Sequence, residues 1–229
     1  MTSDKWTRRS LMTGIGATLT ALGVRTTEAY AQTPSPAGRF RPTRHEQDAW
    51  LDEMPGQHRV FIDSANPHGA GSAVLYANNL FRTNKNAYSI DARDLAIVVC
   101  FRHLATVFGY NDAMWAKYGE QFSGRTSFMD PNTNKAPSAN LYNAEGYGRV
   151  LPNSGNTINA QIERGAQFAI CDAATRAFAG GVAQATGQSQ EDVYRELVAN
   201  AVPGGRFVPA GVVAATRAQE YGYSLLYSM

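Results

Sequence analysis

The chain has 229 residues, 44% hydrophobic and 17% charged, which is the composition of an ordinary globular protein and excludes disordered or collagen-like classes. Of 21 basic and 19 acidic residues, four basic (Lys5, Arg8, Arg9, Arg25) and two acidic (Asp4, Glu28) lie in residues 1–31, leaving 17 of each; so neutral a body lacks the basic excess of a nucleic-acid groove or an anionic-membrane binder. Two cysteines are too few for a disulfide-stapled scaffold, and no apolar run approaches the roughly 20 residues that span a bilayer.

The chain begins with Thr7-Arg8-Arg9-Ser10-Leu11-Met12, which resembles the twin-arginine export motif. A mildly apolar stretch from Leu11 to Val24 follows, and Ala29-Tyr30-Ala31 offers small residues at the two positions a signal peptidase reads. Residues 1–31 are therefore expected to be a twin-arginine signal peptide. The route carries folded proteins, so the mature chain is expected to work in the periplasm or otherwise outside the cytoplasm.

Residues 32–57 read as a Pro- and Thr-rich spacer with a short helix at 45–54, stopped by Pro55-Gly56. From residue 58 the pattern becomes regular. Arg59 to Asp63 is a short apolar strand, Asn66 to Gly69 a turn, and Gly71 to Thr83 a helix. Leu95 to Phe101 is continuously apolar, as in a strand buried on both faces. Asp112 to Tyr118 is a short helix. Residues 119–156 show no apolar period and read as a long loop insertion, with Tyr142 and Tyr147 as anchors. Ile158 to Arg164 is helical, Gln167 to Cys171 a strand, and Asp172 to Thr186 a helix. Ser189 caps a helix that runs to Asn200. A strand at 206–209, a helix at 210–221 and a strand at 223–227 complete the chain. Alternating strands and helices require crossovers, and crossovers make parallel sheets. The expected fold is a three-layer α/β/α domain over 58–229 with a mostly parallel five-stranded sheet.

Three segments carry a resemblance to the DsrE/DsrF-like family: Ile162 to Cys171, Val208 to Val213, and Arg217 to Tyr223. Val60 to Asp63 and Ala96 to Arg102 match its first two strands more weakly. The resemblance spans roughly residues 58–118 and 157–229; the leader and the insertion depart from the family's small cytoplasmic members. It implies an α/β fold of the kind read above and a homo-oligomer, trimer or hexamer. It also implies sulfur handling, with Cys171 as a persulfide carrier exchanging with a donor or acceptor protein or a small molecule.

Read as residues, Cys171 closes a strand and opens a helix, where unpaired N–H groups and the helix dipole favour a thiolate. Cys100 ends the second strand and is core, a free thiol, or half of a bridge to Cys171. His103 is a general base beside Cys171, a metal or haem ligand, or a loop histidine bonded to backbone. Arg102 offers a fork for an anion. Tyr110 and Trp115 form a pocket wall or pack under the insertion. Gly69-Ala70-Gly71 is half of a dinucleotide-binding turn but lacks the rest of that fingerprint. No metal-ligand spacing is present, so no cofactor and no metal is predicted. Two functions follow: an exported sulfur carrier acting through Cys171, or a non-catalytic oligomeric module whose insertion at 119–156 recognises a partner or small ligand. Replacing Arg8 and Arg9 with Lys should hold the precursor in the cytoplasm in a fractionation blot; unchanged export would sink the leader assignment.

Overall fold

The computed structural model describes residues 42–229; the expected signal peptide and the expected spacer up to residue 41 lie outside the described residues. The seven residues of strand β2, Leu95–Phe101, are all buried, and the sheet order gives the reason. β1 (His58–Ser64), β2, β3 (Gln167–Cys171), β4 (Arg206–Val208) and β5 (Ser224–Ser228) lie in the order β4-β3-β2-β1-β5, every pair parallel. β2 is central, so both its faces are covered and every position is apolar.

The helices form the outer layers. α2 (Pro67–Tyr88), α3 (Asp112–Thr126), α4 (Ile158–Glu163), α5 (Asp172–Thr186) and α6 (Gln190–Ala199) share one core with Ile62, Val99, Phe168 and Ile170. α1 (Trp50–Glu53) and α7 (Gly211–Glu220) cover the other face, packing on Phe61, Val98, Cys100 and Ala169. The sequence expectation of a three-layer parallel α/β/α domain holds. Among the described residues, no helix is long and apolar enough to cross a membrane.

Several boundaries differ from the expectation, α2 also running on to Tyr88 and the first helix shrinking to Trp50–Glu53, and two of the differences have a clear local reason. α2 begins at Pro67 rather than Gly71: the Asn66 side chain accepts the Gly69 N–H at 2.7 Å and caps it, and proline takes the first turn. α3 continues eight residues past Tyr118 because Phe122 and Thr126 extend its buried stripe. Gly119, the first residue past the expected helix end, lies where the Pro137 carbonyl oxygen would be 2.1 Å from any Cβ. Tertiary burial outweighs the roughly 1 kcal/mol that glycine costs inside a helix.

The irregular segment is therefore 127–157, and it is packed rather than loose. Asn140 is fully buried; its amide donates to the carbonyls of Phe108 and Tyr110, both at 2.9 Å, and its backbone N–H reaches Asp112 Oδ1 at 2.9 Å. Tyr142 is also fully buried, its ring centroid 4.4 Å from Phe108 and 5.7 Å from Phe128. Its hydroxyl donates to the Pro67 carbonyl at 2.7 Å. Tyr147 makes a weaker anchor, donating to Asp130 at 3.0 Å. Tyr142→Ala should lower unfolding stability by about 3 kcal/mol, read by urea denaturation, while Tyr88→Ala at an exposed site should change it by less than about 0.5 kcal/mol.

Candidate functional site

The carboxyl ends of the strands gather the residues that carry chemistry. In a parallel sheet, residues paired across strands share a face. Tyr227, Asp63, Cys100 and Ala169 form one row across β5, β1, β2 and β3, on the side covered by α7. Arg102 follows β2 by one residue and turns back onto this row. Its Nε and Nη2 donate to the two oxygens of Asp63 at 2.7 and 2.9 Å. The Asp63 bond is also the main reason the guanidinium is held above its ordinary pKa. The Arg102 stem lies against Gly211 at the start of α7, where a Cβ would come within 2.5 Å of it. The fork expected to hold an anionic ligand is thus engaged by Asp63, a partner the sequence reading missed. The available signal was a carboxylate at the end of an otherwise apolar strand.

Cys100 is completely buried under this pair. Burial pushes its thiol well above the usual range, and the nearby Asp63 charge adds to the effect. It is a neutral core group. Cys171 stands on the same face, but two residues beyond Ala169, the residue paired with Cys100. With strands about 4.8 Å apart and about 3.3 Å per residue, their Cα atoms are roughly 8 Å apart, beyond the approximately 7 Å limit for a disulfide. Both thiols are free.

Cys171 is the N-cap of α5. Its Sγ accepts the Ala174 N–H at 3.4 Å, at the amide-lined first turn of the helix. It is 6% exposed, so access to the sulfur is narrow. Asp172 beside it is engaged, accepting from Arg176 Nε at 2.9 Å and from the Tyr194 hydroxyl at 2.5 Å. β3 leads into α5 on one face and β4 into α7 on the other. Cys171 and its paired Val208 therefore stand where the two segments turn to opposite faces, with the Ala173 N–H still donating to the Pro209 carbonyl at 3.2 Å just beyond them.

The remaining expected site residues separate. His103 is exposed and opens a 3-10 segment, His103–Gly109, with a φ of 53°. Among the described residues it makes no hydrogen bond with either cysteine. Tyr110 and Trp115 are completely buried and pack in the core. The Trp115 Nε1 donates to the Val107 carbonyl at 3.1 Å. The Tyr110 hydroxyl donates to Thr175 Oγ1 at 2.9 Å, and Thr175 donates to the Cys171 carbonyl at 2.9 Å. Tyr110 therefore steadies the backbone of Cys171 from within the core. The described residues hold no cluster of three or more His, Cys, Asp or Glu suited to a metal.

A second feature lies at the same end of the sheet, around the first turn of α2. A cleft of about 460 Å³ is walled by Asn66, His68, Phe128, Tyr142, Pro152 and Met229. Phe128, Tyr142 and Pro152 come from the irregular segment, so the insertion builds half of it. The glycines that read as half a dinucleotide turn have a different use here: a Cβ at Gly71 would fall 2.7 Å from the Tyr142 ring, so glycine admits the protein's own tyrosine. Sequence reasoning missed the cleft because its walls come from three distant segments. No family model matches this sequence, and no curated protein matches it.

The two thiols should respond differently to alkylation. At neutral pH in the folded state, Cys100 should resist iodoacetamide until the protein unfolds, while Cys171 reacts slowly; rapid modification of Cys100, read by peptide mass spectrometry, would contradict its burial. Asp63→Ala leaves the Arg102 charge without its partner and should cost about 3 kcal/mol, read by thermal or urea denaturation.

Proposed function

We propose that the chain is an exported, DsrE/DsrF-like binding module. Its ligand is a small, largely apolar molecule held in the cleft between the first turn of α2 and the insertion. The carrying observation is the cleft itself. Its volume of about 460 Å³ falls in the range of small-molecule sites, as does its mix of aromatic wall and a few polar groups. Its position at the carboxyl edge of a parallel sheet agrees with where such folds bind ligands. The rigid anchoring of Asn140 and Tyr142 means the wall is formed before binding, which lowers the ordering cost. The near burial of Cys171 and the full burial of Cys100 put thiol chemistry second.

The test uses 8-anilino-1-naphthalenesulfonate as a probe of the cleft in the folded protein. The expected result is saturable, blue-shifted fluorescence with one site per chain. It should be lost in Pro152→Trp, which fills the cleft, and retained when Cys100→Ala and Cys171→Ser are combined. Undiminished binding by a folded Pro152→Trp variant would overturn the assignment.

A second reading follows from one observation, the Cys171 sulfur capping α5 at 3.4 Å from an amide nitrogen. In that reading the protein carries sulfane sulfur as a Cys171 persulfide. Exposure to polysulfide should add one sulfur atom to the peptide containing Cys171, and Cys171→Ser should abolish it. Equal labelling of the mutant would remove the carrier role.

A further inference from the structure

The two edges of the sheet are built differently. β4 has three residues, begins with the exposed Arg206 and is followed by Pro209. Short length, a charge and a proline are the features that keep an edge strand from pairing with another chain. β5 has none of them. It runs five residues, Ser224-Leu225-Leu226-Tyr227-Ser228, and among the described residues pairs only with β1. Leu225, Leu226 and Tyr227 are 44%, 37% and 46% exposed, and no residue from Tyr221 to Met229 carries a charged side chain. An uncharged, unprotected apolar edge is a template for strand addition.

The sequence of this edge also names its occupant. Read in reverse, β5 becomes Ser-Tyr-Leu-Leu-Ser, so an antiparallel copy centred on Leu226 sets serine against serine, Leu225 against Tyr227, and Leu226 against itself. Aromatic and aliphatic cross-strand partners of this kind stabilise antiparallel pairs. A two-fold axis through Leu226 makes the interface isologous, which closes the assembly at two copies and prevents growth along the edge. We propose that β5 is a homodimer interface, in which two copies pair antiparallel about Leu226 and join their sheets into one. The family resemblance implies a trimer or hexamer; the self-complementary β5 edge argues instead for a two-fold pair, and independently of what the cleft or Cys171 does.

The test is the mass of the purified chain by light scattering with size-exclusion chromatography. Wild type should show twice the chain mass. Leu226→Lys, which sets two like charges face to face, should give a monomer with a thermal midpoint no longer dependent on concentration. Arg206→Glu at the opposite edge should leave the dimer intact. The register has its own check. Across an antiparallel pair, Cα atoms lie about 4.5–5.5 Å apart, within disulfide range, so Leu226→Cys treated with diamide should run as a covalent dimer on a non-reducing gel while wild type does not. A monomeric wild type, a dimer that survives Leu226→Lys, or a Leu226→Cys dimer that does not cross-link would each overturn the proposal.

Discussion

A parallel strand cannot be joined to its neighbour by a hairpin; the chain must leave the sheet, cross a face and return. Most of this architecture follows from how the protein spends those crossings. β1, β2, β3 and β4 step in one direction across the sheet with α2 to α6 on one face. The last crossing, through α7, uses the other face and carries the chain back to the far side of β1. That single reversal turns the segments leaving β3 and β4 to opposite faces, leaves β5 as an edge, and brings the end of β5 beside the first turn of α2. The thiol row, the cleft and the open edge all have their origin in it.

The charged groups at the site obey the same economy of burial. Asp63 sits inside the sheet edge, and a lone carboxylate there would be costly. Arg102 answers it with two hydrogen bonds at 2.7 and 2.9 Å, in the bidentate geometry that suits guanidinium and carboxylate. The pair caps Cys100, whose burial keeps it a neutral thiol. Of two cysteines at adjacent strand ends, one is thus sealed. The other, one strand over and two residues further out, reaches a helix tip. A displacement of two residues separates a fully buried thiol from one at a helix N-terminus.

The irregular segment gains its order from a few buried polar contacts rather than from periodic apolar packing. Asn140 satisfies the carbonyls of Phe108, in the 3-10 segment, and of Tyr110, just after it, and its Oδ1 accepts the Tyr142 backbone N–H at 3.2 Å. Tyr142 then fills the space over Gly71. A loop built this way presents a fixed wall, which is why it can shape a cleft rather than close over one.

Much of this was legible in the chain. β2, β3 and α5 lie where the apolar runs and caps put them, because their patterns are local: a continuous apolar stretch for a strand buried on both faces, a strict helical stripe for α5. The placement of Cys171 between a strand and a helix was legible for the same reason. The extension of α3 past Gly119 was not, since the reason for that glycine is the Pro137 carbonyl eighteen residues later. Nor was the pairing of Asp63 with Arg102, or the cleft wall. Each depends on which segments meet, and sequence periodicity carries no information about meetings between distant segments. The sequence determined the elements, their alternation and the parallel sheet. The order of the strands, and with it the company each reactive side chain keeps, was decided only when the chain crossed back through α7.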